Sequence, residues 1–291
     1  MAALDFKAIL AEERRRARAG LAGLTEQHER DSSGSSVLTA NSVRELVDKR
    51  HALHQEQDVE WMLPHRPERP IFDAAAHSVQ CSVAGIAHVP DWCSTEEEAE
   101  MLRCADGAPA SRWTQLRGRR LQSLGGEPRP PPEIMSSEPL PRWVQSICDR
   151  LVDSGVFAPD EPPNHVLLNE YQPGQGIDAH KDGPLYAPRV AILSLNSHTA
   201  FEFLADDESR TTRAALLLPR RGLLVFEGEA YSNLLHHVPM RTEDNPCDLI
   251  ALGAEWQHSG DMANMGNRLT RQRRVSLTVR RVVVPRATST S

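Results

Sequence analysis

The second half of the chain contains short segments in which hydrophobic residues cluster or alternate with polar ones. Alternation at a period of two is typical of β-strands, because successive side chains point to opposite faces of a sheet. The pattern predicts six strands, at 165–171, 189–196, 200–204, 214–219, 222–228 and 274–284. The stretch 240–272 is polar without a clear period, and we expect it to be an insertion. Several short strands separated by Gly, Pro and Asn favour a mainly β (α+β) fold, a sandwich or a jelly roll.

Two helices and a further strand are predicted before these strands. Residues 83–90 are predicted to form a strand, and a helix is expected to begin near Thr95. Ser94 or Thr95 is its expected cap, with three glutamates favourable in the first turn. Apolar residues recur at helical spacing in 139–154, which predicts the second helix. The Arg-, Gly- and Pro-rich segment 105–140 is predicted to be a loop with short strands.

The N-terminal quarter has a different character. Residues 5–19 are predicted to form an amphipathic helix, and the DSSGSS sequence at 31–36 is typical of a flexible linker. We therefore divide the chain into an extension at 1–75, a folded domain at 76–286 and a tail at 287–291. The extension is either a docking segment for a protein partner, through residues 1–20, or a disordered region.

Composition limits the class of protein. A chain of 291 residues with 40% hydrophobic residues can form one large domain. It has no apolar run of 18 residues and no signal-peptide pattern at its N-terminus, so we expect no transmembrane helix and no secretion. The five cysteines form no Cys-x-x-Cys pair, which argues against a cysteine zinc site. A reducing compartment is expected, cytoplasmic and/or nuclear.

The charge of the chain bears on nucleic-acid binding. A net charge of −7 argues against a protein that coats nucleic acid non-specifically, because that mode depends on many phosphate contacts. Arg112, Arg117, Arg119 and Arg120 form a basic group in SRWTQLRGRR. They are either a basic rim around a nucleic-acid-binding cleft or a solvated basic loop.

His180 and Asp182 are separated by one residue, Lys181. If this segment is a strand, both side chains face the same side and can reach one metal ion. The alternative is a surface turn, because Asp182 is followed by Gly and Pro.

Asn169 and Tyr171 are also two residues apart in a predicted strand, and they precede a Pro173-Gly174 turn. An amide and a phenol on one face can hydrogen-bond an organic acid in the same cavity as His180. The alternative is a half-buried strand in which both residues have ordinary cross-strand partners.

A second histidine is found in the sequence LLHHV. His236 would share a face with Leu234, whereas His237 would share a face with Leu235. We choose His236 as the candidate ligand. His198 lies in a predicted turn and is expected to be structural.

The last predicted strand carries Arg274, Ser276, Thr278 and Arg280 on one face. Placing this face in a protein interior is unfavourable unless a charged ligand is bound there. The alternative is an edge strand whose polar face lies in water.

Together these residues indicate an oxygenase. Two imidazoles and one carboxylate on one face of a metal are the ligand set of non-haem Fe(II) oxygenases, and they leave other positions open. A buried arginine suits the carboxylate of a small organic acid, since its planar guanidinium can bind both oxygens. The combination indicates 2-oxoglutarate as co-substrate.

The same residues resemble the motifs of the AlkB family of Fe(II)- and 2-oxoglutarate-dependent dioxygenases. The matching elements are N-x-Y at Asn169, P-G at 173–174, H-x-D at His180, then His236, and two arginines six residues apart from Arg274. The resemblance covers roughly residues 80–285. The sequences DGPLYAPRVAILSLNSHTAFEF and WTQLRGRRLQSLGG are most similar to the sixth AlkB-homologue subgroup.

The resemblance implies a double-stranded β-helix and a role for each matching residue. His180, Asp182 and His236 would bind iron. The residues implied for 2-oxoglutarate are Asn169, Tyr171, Arg274 and Arg280, together with Ser276, which stands where some members have Asn. A lid over 112–126 would recognise the substrate, through Trp113, Arg117, Arg119 and Arg120.

The implied activity is oxidative demethylation of methylated nucleic acid, with release of formaldehyde and succinate. The acidic net charge favours RNA or single-stranded DNA over duplex DNA as the substrate. A methylated base inside a duplex would first have to be flipped out. Two alternatives stay open. One is a protein hydroxylase or demethylase with the same mechanism, and the other is a low-activity reader of methylated RNA.

Overall fold

The computed structural model of the protein describes residues 61–64, 71–128, 135–252 and 268–283. The predicted helix at 5–19, the linker at 31–36, most of the extension at 1–75 and the tail at 287–291 lie outside these residues. The partner-docking segment at 1–20 and the division into domains therefore stay predictions. None of the helices in these ranges is long and apolar enough to span a membrane.

Sixteen strands form in the described residues, and all six strands predicted in the second half are among them. They are β1 Ile86–Val89, β2 Thr114–Gln115, β3 Arg120–Leu124, β4 Gly126–Pro128, β5 Met135–Ser137, β6 His165–Tyr171, β7 Ile177–His180, β8 Arg189–Leu195, β9 Thr199–Ala205, β10 Thr212–Leu218, β11 Leu223–Glu227, β12 Leu234–Val238, β13 Glu243–Asp244, β14 Ile250–Ala251, β15 Leu269–Thr270 and β16 Arg274–Arg280. Strand β16 ends earlier than predicted, because beyond it Val282 makes only an isolated bridge to Tyr186.

The α-helices within the described ranges are α1 Thr95–Asp106, α2 Arg142–Asp153 and α3 Gly228–Ser232. Helix α1 begins where the sequence predicts. The Ser94 hydroxyl accepts from the Glu97 backbone N–H at 3.2 Å, and the Glu97 carboxylate accepts from the Ser94 N–H at 2.9 Å. This reciprocal pair satisfies two N–H groups that have no partner inside the helix, which fixes where the helix starts.

Two sheets form the jelly roll that the sequence predicts. The larger sheet has the order β1-β11-β8-β16-β6-β3-β2, and the smaller has the order β14-β10-β9-β12-β7. Apolar side chains from the two sheets pack together, among them Phe201 and Phe203 from the smaller sheet and Ile192 and Phe226 from the larger. At the part of the sandwich built by β6, β7, β12 and β16, polar side chains replace this apolar core.

Helices α1 and α2 cover the outer face of the larger sheet. Met101 and Ile147 from the helices pack with Leu168 and Leu193 from β6 and β8. Strand β16 lies between β8 and β6, so it is a central strand and not an edge. The alternative that its polar face lies in water is therefore excluded.

The segment predicted as an insertion at 240–272 is partly integrated into the fold, so that prediction is wrong for its described part. Strand β13 pairs with β15, and β14 extends the smaller sheet. The fully buried Asp244 carboxylate accepts two hydrogen bonds of 2.7 Å from Arg271. This buried ion pair joins the two ends of the segment, and Asp244 also accepts a hydrogen bond of 3.2 Å from the Ala200 N–H of β9, which attaches the segment to the smaller sheet.

Candidate metal and co-substrate site

Two strands of the smaller sheet bring three candidate metal ligands together. His180 is the last residue of β7, and its cross-strand neighbour on β12 is His236. Ligand atoms from these two residues and Asp182 all lie within 4.8 Å of one another. One ion can bridge this spacing, since metal–ligand bonds are about 2 Å long. Asp182 does not share a strand with His180, because β7 ends there, but it is 5% exposed and does not form a surface turn.

Both candidate imidazoles are held neutral. Burial, reinforced by the neighbouring His180, lowers the pKa of His236 to about 3, and burial lowers the pKa of His180 as well. His180 Nδ1 lies 2.8 Å from the Asp178 carbonyl oxygen, so Nδ1 carries the hydrogen and Nε2 keeps its lone pair. The His236 ring stacks on Phe201, with ring centroids 5.7 Å apart. These contacts orient two neutral nitrogen donors.

Asp182 is held as a carboxylate. Burial by itself would raise the pKa of Asp182, but interactions led by the charge of Arg280 outweigh burial and lower it. Arg280 Nη1 donates to Asp182 Oδ1, and the two side chains are 1% and 3% exposed. The Arg280 guanidinium also stacks on Tyr186, 4.0 Å from the ring centroid. The carboxylate is thus ionised and fixed in direction, as a metal ligand must be.

Arg274 is buried, and its direct contacts are with a hydroxyl group and an aromatic ring. Its Nη2 donates to Ser194 Oγ at 2.8 Å, and its guanidinium carbon lies 5.6 Å from the centroid of the Tyr171 ring. Its Nε is buried and has no hydrogen-bond partner within the described ranges. Burial lowers the pKa of Arg274 to about 10. A buried guanidinium that lacks an acidic partner fits the binding of a carboxylate from a small molecule.

Asn169, Tyr171 and Ser276 line the same face, as the sequence predicts. On the paired strands β6 and β16, Asn169 lies opposite Ser276 and Tyr171 lies opposite Arg274. All of these side chains are buried. Asn169 Oδ1 accepts a hydrogen bond of 2.9 Å from Arg119 Nε, so the amide presents its nitrogen as a donor. The pocket combines a cationic group with neutral hydrogen-bonding groups.

Comparison with known proteins gives the family. The model of the 2OG-Fe(II) oxygenase superfamily matches residues 85–280. The Danio rerio protein "Probable RNA/DNA demethylase ALKBH6" is 35% identical over 222 residues, which cover 73% of this chain and 92% of that protein. The chain belongs to the AlkB family of 2OG-Fe(II) oxygenases.

This AlkB-family protein is therefore a 2-oxoglutarate-dependent dioxygenase that uses Fe(II), 2-oxoglutarate and O2. The Macaca fascicularis protein "tRNA (carboxymethyluridine(34)-5-O)-methyltransferase ALKBH8" is 29% identical over 174 residues, which cover 55% of this chain and 25% of that protein. A solved structure, "The structure of OsALKBH1", covers 67% of this chain and 97% of that chain, with 16% identity and a TM-score of 0.45.

The predicted substrate residues of the dioxygenase lie on different sides of the β2–β3 hairpin. Arg117 is exposed in the turn, and Trp113 is half buried beneath the Arg120 guanidinium, 4.0 Å from its ring centroid. Arg112 is exposed and pairs with Glu138 at 3.3 Å. Arg119 is 2% exposed, so neither a rim nor a solvated loop describes it. Successive side chains alternate in direction, which sends Arg119 into the pocket and Arg120 outward.

The hairpin turn lies directly against the strand that carries His180. Gly176 donates its backbone N–H to the Gly118 carbonyl at 3.0 Å. A Cβ atom at Gly176 would lie 2.2 Å from the Val238 carbonyl oxygen, so only glycine allows this close approach. The hairpin therefore joins the wall of the pocket.

Two other histidines of the strand region, His237 and His198, lie outside the ligand group. His237 Nε2 lies 3.1 Å from Glu202, on the opposite face of β12 from His236, as the alternation predicts. His198 lies 3.6 Å from Asp244. Its position fits the structural role that the sequence predicts.

Sequence reasoning missed several residues of the pocket. Ser194 is the one hydroxyl in the otherwise apolar run from Val190 to Leu195, and that contrast is the signal that could have identified it. Tyr186 lies in a loop, where no period indicates its direction. The inward direction of Arg119 and the partners of Glu170 depend on pairing between β3 and β6, which are about 50 residues apart in the chain.

Proposed function

We propose that this dioxygenase oxidatively demethylates nucleic acid, with RNA or single-stranded DNA as substrate. The supporting observation is its similarity, over 92% of that protein's length, to a protein described as a probable RNA/DNA demethylase. The buried ligand group and the buried Arg274 supply the required chemistry within the matched region. The products are succinate, CO2, formaldehyde and the demethylated base.

We assign the metal to His180, Asp182 and His236. When bound, Fe(II) with 2-oxoglutarate and O2 supplies the oxidation of a substrate C–H bond. If the carbon belongs to an N-methyl group, the hydroxylated product breaks down to formaldehyde and the free amine. The neutral imidazoles and the ionised carboxylate give the site one negative charge, which favours a divalent cation.

Arg274 is assigned to the distal carboxylate of 2-oxoglutarate. Ser194 and Tyr171 fix the direction of its guanidinium, and the Asn169 amide donates from the neighbouring strand. Ser276 lies beside them on β16. Arg280 is assigned to the other end of the pocket, where it holds Asp182. The apolar core around this group excludes water from the reacting atoms.

The β2–β3 hairpin is the proposed contact for the substrate strand. Arg117 is exposed beside the pocket wall, whereas the Trp113 ring is covered by Arg120 and packs against the helix side of the larger sheet. The chain as a whole carries a charge of −7, so this contact is local and suits an unpaired nucleotide better than a long duplex.

The first test measures succinate and formaldehyde together. We expect methylated single-stranded oligonucleotides to stimulate both products with Fe(II) and O2, and His180→Ala and Arg274→Met to abolish them. His198→Gln is the matched control and should retain activity. Succinate stimulated by peptides but not by oligonucleotides would point to a protein substrate, whereas oligonucleotide binding without either product would support a reader.

The second test concerns the hairpin. Arg117→Glu should weaken binding of a methylated single strand, measured by fluorescence anisotropy, without changing the oligonucleotide-independent turnover of 2-oxoglutarate. Arg210→Glu makes the same charge change at an exposed position in the β9–β10 turn and serves as control. Equal loss of binding in both variants would show a general effect of charge and contradict a specific contact.

A further inference from the structure

Glu170 lies between two residues of the co-substrate pocket but points away from it. It follows Asn169 and precedes Tyr171 on β6, so alternation directs its side chain to the outer face of the larger sheet. Its side chain is only 5% exposed. A buried carboxylate is unfavourable unless it is paired, so its partners explain its presence.

Two arginines, Arg120 on β3 and Arg273 directly before β16, bind this carboxylate, and Gln172 Nε2 donates to it at 3.2 Å. Arg120 Nε and Nη2 donate to its two oxygens at 2.8 and 2.9 Å. Arg273 Nη2 and Nε donate to Oε2 at 2.7 and 3.1 Å. Burial by itself would raise the pKa of Glu170, but these two arginines outweigh it and lower the pKa, so the carboxylate stays ionised.

Each arginine also extends the network to a further element. Arg120 covers the Trp113 ring, which packs against the helix side of the larger sheet. Arg273 Nη1 donates to Asp106 at the end of α1, at 3.2 Å. The carboxylate of Glu170 thus connects the β2–β3 hairpin, the centre of the sheet and helix α1.

The two arginine partners of Glu170 are sequence neighbours of pocket residues. Arg120 follows Arg119, which binds Asn169 inside the pocket, and Arg273 precedes Arg274. A shift of either outer arginine therefore moves its inward neighbour. Because β6 pairs with both β3 and β16, one carboxylate fixes three strands at the level of the pocket.

We propose that Glu170 is a positioning residue for 2-oxoglutarate, acting from outside the sheet through Arg120 and Arg273. The proposal rests on the assignment of the pocket around Arg274 given above. Apolar residues of similar size can supply as much stability as a buried ion pair. Stability alone therefore does not account for the charges of Glu170, Arg120 and Arg273. Their hydrogen bonds are directional, and they set how the guanidinium of Arg274 and the amide of Asn169 are oriented towards the co-substrate.

The test compares Glu170→Gln with wild type in two measurements. The first is calorimetric binding of 2-oxoglutarate to protein loaded with Mn(II), which supports binding without turnover. The second is the KM for 2-oxoglutarate against kcat. We expect Kd and KM to rise about tenfold, the effect of one misplaced hydrogen bond to a charged group, with a smaller change in kcat.

Glu97→Gln is the matched control. Glu97 is also buried and bound by an arginine, with Arg150 at 2.8 and 3.1 Å, but it joins α1 to α2 away from the pocket. Both variants should lose thermal stability, while only Glu170→Gln should weaken co-substrate binding. Equal Kd values for 2-oxoglutarate in Glu170→Gln and Glu97→Gln would overturn the proposal.

Two more variants keep the outcomes separate. If Glu170→Gln does not fold, Arg120→Gln replaces it in the test, because this variant leaves the contact between Glu170 and Arg273 in place. Arg120→Gln should raise the Kd for 2-oxoglutarate by a smaller factor. An unchanged Kd in Arg120→Gln would reject the proposal. Arg274→Met tests the pocket itself. Unchanged binding in Arg274→Met would reject the pocket assignment, whereas lost binding there with normal binding in Glu170→Gln would reject only the role of Glu170.

Discussion

Arg280→Met should destabilise the metal-free protein strongly, and metal should restore much of the loss. Removing Arg280 leaves the Asp182 carboxylate buried without its cationic partner, and both side chains are almost fully inaccessible. Breaking a buried pair in this way lowers the free energy of unfolding by about 3–5 kcal/mol. For a protein of this size, this corresponds to a fall in Tm of roughly 6–20 °C. Methionine retains the apolar length of the arginine side chain, so the change is mainly one of charge.

A divalent cation at the ligand group replaces the positive charge that the variant lacks. Mn(II) should therefore raise the Tm of Arg280→Met by more than it raises the Tm of wild type, as measured by scanning calorimetry. Arg150→Met breaks a pair with Glu97 that is 8% and 4% exposed and lies between α1 and α2. This control should show a similar fall in Tm without the additional gain from metal. If Mn(II) raised the Tm of wild type and of Arg280→Met by the same amount, the positive charge of Arg280 would not be what balances the Asp182 carboxylate.

Three further predictions follow from buried groups. Burial lowers the pKa of His88 from 6.5 to about 4. As pH falls, the unfolded chain therefore binds a proton at this histidine at a higher pH than the folded protein does. Up to about 3 kcal/mol of stability is lost between about pH 6.5 and pH 4. Chemical denaturation across this range should show a smaller loss in His88→Gln, and an equal loss would contradict a neutral His88. Arg119→Met should raise the KM for 2-oxoglutarate, whereas Arg117→Met, at an exposed neighbouring position, should not. Equal KM values for 2-oxoglutarate in the two variants would place Arg119 outside the co-substrate pocket. Gly176→Ala forces a Cβ against the Val238 carbonyl oxygen and should lower the free energy of unfolding by at least about 2 kcal/mol, as measured by urea titration. An unfolding midpoint equal to that of wild type would show that the backbone accommodates the added Cβ without cost.

The ligand group is predictable from the sequence because its evidence is local. Alternation within LLHHV separates His236 from His237, and both histidines occupy the predicted positions. Even spacing in β16 also predicts that Arg274 and Arg280 share a face. The same reasoning fails for Asp182, because the regular strand ends at His180 and the chain reaches the site through a loop.

Charge pairs between distant segments were not predictable. Arg119 and Arg120 form part of one basic run in the sequence, yet one binds Asn169 inside the pocket and the other binds Glu170 outside it. Which arginine faces inward depends on how β3 pairs with β6, and a single sequence does not give that register. The short strands in 240–272 escaped prediction because strands of two residues have no measurable period.

The central position of β16 has a consequence for how the protein is made. Strand β8 is synthesised about eighty residues before β16 and β6 about a hundred, and the edges of both strands that face β16 stay unpaired until Arg274–Arg280 has left the ribosome. Unpaired strand edges are sites of aggregation in a nascent chain. The strand that carries both arginines therefore closes the sheet as well as the pocket. A nascent chain that ends before β16 exposes the unpaired edges of β6 and β8, which are prone to aggregation. Completion of the sheet and the capacity to bind 2-oxoglutarate therefore arise in the same late step.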